Sequence, residues 1–357
     1  MKYGKIAVVI PCYNVKRHIL AVIADIPLFV HCIFVIDDAC PEGSGKWVEK
    51  HCLDTRVKVI THTKNKGVGG ATITGYRAAL AAEMAMVVKL DGDGQMNPRK
   101  IKALIQPIVA GKADYTKGNR FFYLKEIFVM PKWRLLGNSL LSFISKISSG
   151  YWSVFDPTNG FTALHCEALK YLPLDKISER YFFESDMLFR LNTLSAVVID
   201  VPMVAKYGQE KSNLKIKTIL FEFLYKHLRN VSKRILYNYY LRDMSFASIE
   251  LPLGIIFLVF GLFFGSYHWQ KALLANDVSP AGTVMLAALP IIVGLQFLLS
   301  FLAHDMKSVP STPFHCLMGG SLMTDSEDEQ AGAGDKKQTS MVIKGGTCSL
   351  KSLNDVL

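Results

Sequence analysis

The chain of 357 residues predicts an α/β domain with a mostly parallel sheet covered by helices, followed by two transmembrane helices. Three observations carry that class. Short continuous apolar runs alternate with helical patterns through the N-terminal part, as in sheets buried on both faces. Two nearly uncharged stretches of spanning length follow in tandem, each long enough to cross a hydrocarbon core of roughly 30 Å. Polar clusters stand directly after the apolar runs, where open α/β sheets bind their ligands.

The expected strands are residues 7–10, 33–36, 57–60, 86–90 and 196–201. The first is followed by Pro11, Cys12, Tyr13 and Asn14, the second by Asp37 and Asp38, and the third by Lys64, Asn65, Lys66 and Gly67. The GxGxxG of a dinucleotide site is missing after the first strand, and Gly67-Val68-Gly69-Gly70 lacks the Lys-Ser/Thr of a P-loop. That glycine run suits the close approach of a helix N-terminus to a ligand. The fourth strand leads into Asp91-Gly92-Asp93-Gly94-Gln95. Carboxylates two apart in extended chain point the same way. At a strand end they can hold Mg²⁺ or Mn²⁺ with sites left for diphosphate oxygens, and Gln95, two further along, extends that set.

The candidate spans are residues 249–269, with Glu250 at the edge, and 282–303. The loop between them carries Lys271 alone, whereas residues 213–248 carry seven Lys and Arg. The positive-inside rule therefore places both termini and the soluble domain in the cytoplasm, and a bacterial inner membrane is the expected location. Residues 213–248 form a basic amphipathic stretch suited to the headgroup layer or to the soluble domain. The organisation is thus residues 1–212 as the soluble α/β domain, 213–248 as juxtamembrane helices, 249–304 as the hairpin, and 305–357 as a disordered tail.

Of the net charge of +11, residues 1–212 hold +9, which suits phosphorylated ligands and anionic lipid. No nucleic-acid-binding motif accompanies it. Seven cysteines without a CxxC read as reduced thiols.

Several motifs in order resemble those of family 2 glycosyltransferases with the GT-A fold, and more closely those of membrane-anchored polyprenyl-phosphate glycosyltransferases. They are Val9-Ile10-Pro11-Cys12-Tyr13-Asn14, Ile36-Asp37-Asp38, Asn65-Lys66-Gly67, Asp91-Gly92-Asp93, Gly118-Asn119-Arg120-Phe121, Asp156-Pro157-Thr158-Asn159-Gly160-Phe161, and Phe183-Glu184-Ser185-Asp186. The resemblance implies transfer of a sugar, with inversion, from a nucleotide sugar (UDP favoured over GDP) to undecaprenyl or dolichyl phosphate.

It also implies roles. Pro11, Tyr13, Asn14, Asp37, Asp38, Asn65, Gly67 and Asp91 would bind the nucleotide sugar, and Asp91, Asp93 and Gln95 the metal. Arg120 and Arg134 would hold phosphates. Lys206, Lys211 and Ser212 would lie near the lipid phosphate, with Lys206 where the family often has Arg. Asp186 would act as base or orienter, with Glu184 as the competing choice. Against both stands a helix N-terminal acid pair held by the dipole. Two alternatives are a polysaccharide-extending transferase, disfavoured by the missing QxxRW motif, and a non-catalytic nucleotide-binding membrane protein, disfavoured by the intact acidic set. Self-association into a homo-oligomer is left open.

Overall fold

The computed structural model describes residues 4–123, 132–204 and 216–318. Seven strands form one mixed sheet: β1 (Ile6–Cys12), β2 (Cys32–Asp37), β3 (Val57–Thr61), β4 (Met86–Lys89), β5 (Tyr115–Asn119), β6 (Thr162–His165) and β7 (Val198–Pro202). The order is β3-β2-β1-β4-β6-β5-β7. β1 pairs in parallel with β2 and β4, β2 pairs with β3, and β5 with β7. β6 runs antiparallel between β4 and β5.

β1, β2 and β4 are buried on both faces, because Val, Ile and Phe on either side meet covering helices. Their core joins Ile6, Val8, Ile10, Ile33, Val35 and Val88 to Ile19, Ile23, Leu104 and Ile108 of the helices. The five expected strands are present within a residue or two at each end. β5 and β6 were not foreseen, because their residues are polar or few. β5 is nevertheless wholly buried, its Lys117 donating to the Asn159 carbonyl and its Asn119 to Asp200 at 2.9 Å.

Two compact units divide the chain, with boundaries at Asn230/Val231 and Val309/Pro310. These differ from the boundaries expected at 212 and 304. The first shift has a packing cause. On the helix Ile216–Leu236, His227 bonds Ser148 Oγ at 2.7 Å, Asn230 donates to Asp186 at 3.0 Å, and Phe223 and His227 meet the Phe182 ring edge-on. The opposite face carries Phe221, Leu224, Tyr225 and Leu228, exposed by 76%, 44%, 67% and 58%.

The second shift comes from a returning segment. The Phe314 and His315 amides and the His315 ring all bond the Asp114 carboxylate, at 2.7, 2.8 and 2.6 Å, and the His315 ring stacks on His165. Burial pushes the Asp114 carboxyl up, but these bonds and the Val197 amide outweigh it and hold it below its ordinary value. His315→Ala is expected to cost about 1.5–3 kcal/mol, measured by denaturant unfolding of the full chain. A residue from beyond the second apolar helix is thereby part of the first unit.

Burial holds the imidazoles of His165 and His227 down to about 4. Folding keeps both neutral, so their contribution is fully present above about pH 6.5 and is lost as pH falls towards 4. Burial raises Asp200 to about 6, which has the opposite sign over part of that range. His227→Asn should therefore lower the melting temperature at pH 7 and flatten its fall between pH 7 and pH 5.

In the second unit, Ala247–Ala275 and Ala281–Lys307 are long and apolar enough to cross a membrane. They pack antiparallel. Cβ atoms added at Gly254, Gly261 and Gly265 would meet Leu298, Ile291 and Ala287 in turn, so small residues set a close helix approach. Glu250 accepts from Ser300 at 2.7 Å. At the outer end Asp305 takes a bidentate Arg234 pair at 2.6 and 3.1 Å and the Tyr239 hydroxyl at 2.7 Å. Both outer ends of the hairpin thus lie together, as the short loop predicted.

Candidate active site

The parallel register sets the carboxyl ends of β1, β2 and β4 side by side, with Cys12 opposite Asp37 and Val9 opposite Lys89. A cavity of about 830 Å³ opens there. Pro11, Tyr13, Asn14, Asp38, Asn65, Gly67, Asp91 and Asp93 line it, so the geometry gathers these eight residues from four separate strand ends. Asn14 sits at φ 56°. Its amide donates to Cys40 Sγ at 3.2 Å and its side chain accepts from the same thiol at 3.6 Å.

The two adjacent aspartates do different work. Asp37 does not line the cavity. It is buried and accepts from the Cys40 and Gly45 amides at 2.7 and 2.6 Å, shaping the turn after β2. Asp38 accepts from the Lys66 and Gly67 amides at 2.8 and 2.7 Å and pairs with His62 at 2.7 Å. Its carboxylate thus anchors the loop that carries Asn65 and Gly67.

Asp91 lies beside Lys89 at 2.9 Å, and the same ammonium reaches Glu184 at 3.2 Å. Lys89 is 1% exposed. Burial pulls its ammonium down, but the two carboxylates outweigh this and raise it above its usual value. A Cβ on Gly160 would strike Lys89 Nζ and come within 2.6 Å of Asp91 Oδ2. The glycine in the Asp156–Phe161 motif is therefore needed for backbone to lie against this pair. Lys89 and Lys117 both register opposite Thr162, which places two buried cations in one row across the sheet. Burial brings Lys117 down to about 8.

Asp91 and Asp93 both face the cavity, and Asp93 Oδ1 accepts from the Gln95 amide at 2.9 Å. The Gln95 side chain is exposed and does not line the cavity. No cluster of three or more His, Cys, Asp or Glu suited to a metal occurs among the described residues. Two carboxylates on an open cavity still fit Mg²⁺ or Mn²⁺, since such ions keep several waters or phosphate oxygens.

Glu184 and Asp186 occupy the first turn of the helix Phe183–Thr193. Asp186 is 1% exposed. It accepts from the Ser178 amide at 2.9 Å, Asn230 at 3.0 Å and Arg190 at 3.3 Å, so it organises packing. Arg120 forks onto Asp156 at 2.7 and 2.9 Å and donates to Thr158 at 3.2 Å. Asp156 is fully buried and fixes the guanidinium's orientation. Arg134 belongs to the helix Lys132–Ser149; its side chain, with Lys206, Lys211 and Ser212, lies outside the described residues.

His18, Arg180 and Tyr181 also line the cavity and were missed from sequence, as was Lys89. Lys89 alone left a signal: a charged residue inside an apolar run, two before Asp91 and therefore on its face. The glycine run is explained differently from expectation. Cβ atoms on Gly67 and Gly69 would collide with backbone of Ser178, Glu179 and Arg180, and the Gly70 amide donates to Glu179 O at 2.9 Å. The glycines admit a neighbouring chain segment.

Residues 7–172 match the family model described as glycosyl transferase family 2. A Methanococcus voltae protein named UDP-N-acetylglucosamine–dolichyl-phosphate N-acetylglucosaminyltransferase is 31% identical over 57% of this chain and 86% of its own length. The chain belongs to glycosyltransferase family 2. Its mixed seven-stranded sheet is the GT-A fold of that family, and it is a glycosyltransferase. A Micrococcus luteus protein named undecaprenyl-phosphate mannosyltransferase is 31% identical over 48% of this chain and 70% of its own length. A solved mannosyl-3-phosphoglycerate synthase from Rubrobacter xylanophilus superposes with a TM-score of 0.48 at 15% identity, over 68% of this chain and 77% of that one.

Proposed function

We propose that this glycosyltransferase moves a sugar from a nucleoside diphosphate, UDP in preference to GDP, onto a polyprenyl phosphate at a membrane surface. One observation carries the reading. The same chain joins a strand-end cavity bearing Asp91 and Asp93 to a hairpin of two helices long and apolar enough to span a membrane. The two relatives named for dolichyl-phosphate and undecaprenyl-phosphate substrates support the choice of acceptor.

In this reading Pro11, Tyr13 and Asn14 face the nucleoside, and Asp38 keeps the Asn65–Gly67 loop in place beneath it. Asp91 and Asp93 hold Mg²⁺ or Mn²⁺, which supplies Lewis-acid stabilisation of the leaving nucleoside diphosphate. Lys89, 2.9 Å away, holds the Asp91 carboxylate in place at the cavity. Arg120, oriented by Asp156, offers charge-assisted hydrogen bonds to a phosphate. A phosphate oxygen of the acceptor attacks the anomeric carbon from the face opposite the leaving group, which inverts its configuration. Phosphate monoesters have a second pKa of roughly 6, so the acceptor is already largely anionic at neutral pH. Glu184 therefore serves as the partner of Lys89, and Asp186 serves as a packing carboxylate, with no dedicated base required.

The exposed Phe221, Leu224, Tyr225 and Leu228 face, flanked by Arg229 and Lys233, suits the headgroup layer. The Lys and Arg bias around the hairpin supports a cytoplasmic catalytic domain with both termini on that side. Purified full-length chain, given labelled UDP-sugars and dolichyl phosphate in vesicles, should move label into the organic phase, and chelation should stop it. Label confined to free sugar or polymer would exclude a lipid-phosphate acceptor.

A further inference from the structure

The segment Ser178–Tyr181 is held with unusual care for a surface stretch. The Ser178 amide donates to the buried Asp186 at 2.9 Å. The Glu179 carbonyl accepts from the Gly70 amide at 2.9 Å. The Arg180 carbonyl accepts from the Phe183 amide at 2.9 Å, entering the helix Phe183–Thr193. A Cβ on Gly67 would stand 2.8 Å from Glu179 O and 3.0 Å from Arg180 Cγ, and Gly67 has φ 88°. Both glycine conformation and glycine size are therefore needed to seat this backbone. What the clamp delivers is the Arg180 side chain, exposed at the wall of the cavity that also holds Asp91 and Asp93.

Arg180 is in none of the ion pairs found among the described residues. Lys89 is committed to Asp91 and Glu184, and Arg120 to Asp156. Around the cavity the acidic wall is Asp38, Asp91 and Asp93, and the basic side chains facing it are His18 and Arg180. Phosphate leaving groups gain negative charge as the glycosidic bond breaks, and a pre-placed guanidinium stabilises that charge without reorganisation. Its planar fork matches phosphate in two hydrogen bonds, which an ammonium does not.

The geometry points to Arg180 as a phosphate-binding residue of this cavity, positioned by the Gly67–Gly70 turn for an anionic phosphate of donor or acceptor. This rests on the proposed glycosyl transfer and adds to it a residue outside the family motifs read from sequence. It also gives the glycine run a functional consequence, because the turn acts on substrate through the placement of Arg180.

The test uses full-length Arg180→Ala and Arg180→Lys, with UDP, GDP and their nucleosides as binding probes and dolichyl phosphate vesicles for turnover. If the donor diphosphate is the ligand, Arg180→Ala weakens UDP or GDP binding about ten- to a hundredfold. Affinity for the nucleoside stays unchanged, and Arg180→Lys recovers part of the loss. If the acceptor phosphate is the ligand, nucleotide affinity holds while the KM for dolichyl phosphate rises by a similar factor. Either result supports the assignment. Nucleotide affinity and both KM values within twofold of wild type would overturn it while leaving the proposed function standing. Equal loss of nucleotide and nucleoside binding, with a lowered melting temperature, would also overturn it in favour of a structural role. A wild-type chain that binds neither UDP nor GDP overturns both this assignment and the reading it rests on.

Discussion

Asp93→Asn lowers sugar transfer by about a thousandfold, on the scale of losing one pre-organised charge contact at a leaving group, while membrane fractionation and melting temperature stay near wild type. Asp93 lines the cavity and bonds locally to the Gln95 amide. An amide can keep that accepted hydrogen bond but brings no charge to a divalent cation. Nucleoside binding is unchanged in this variant, whereas the Mg²⁺ or Mn²⁺ dependence of nucleotide binding is lost. Transfer at more than a tenth of the wild-type rate would remove Asp93 from the metal set.

Lys89→Met destabilises the catalytic domain by about 3–5 kcal/mol, the range for breaking a buried ion pair from one side. It leaves Asp91 and Glu184 facing each other in a site where Lys89 is 1% exposed and pairs with both. Adding Glu184→Leu restores most of the stability and little of the activity, because Asp91 then keeps no cation beneath it. Urea unfolding of wild type, the single and the double variant separates the two effects. A single variant as stable as wild type would show that the row of buried charge is not structural.

Much of this was legible because continuous Val and Ile runs leave few alternatives to central parallel strands, and the acidic clusters fell at their ends. Asp91, Asp93, Asn14 and Asn65 come together in one cavity for that reason. β5 was hidden because its Lys117 and Asn119 are buried only through partners far along the chain, Asn159 and Asp200. Adjacent Asp37 and Asp38 look alike in sequence, yet one shapes a turn and the other anchors a loop. Helical periodicity marked 216–236 as one apolar stripe, whereas the structure shows an inward face through His227 and Asn230 and an outward one through Phe221 and Tyr225. No local pattern could announce that Phe314 and His315 return to Asp114, since the acceptor lies two hundred residues earlier.

The most direct test of the central claim is identification of the reaction product by mass spectrometry and anomeric NMR. Purified full-length chain is incubated with UDP-sugars, Mg²⁺ or Mn²⁺, and undecaprenyl or dolichyl phosphate in vesicles. The expected product is a polyprenyl monophosphate carrying one sugar, with anomeric configuration opposite to that of the donor. A retained configuration would contradict the direct displacement by the acceptor phosphate. A product without a sugar–phosphate–lipid linkage would contradict the function.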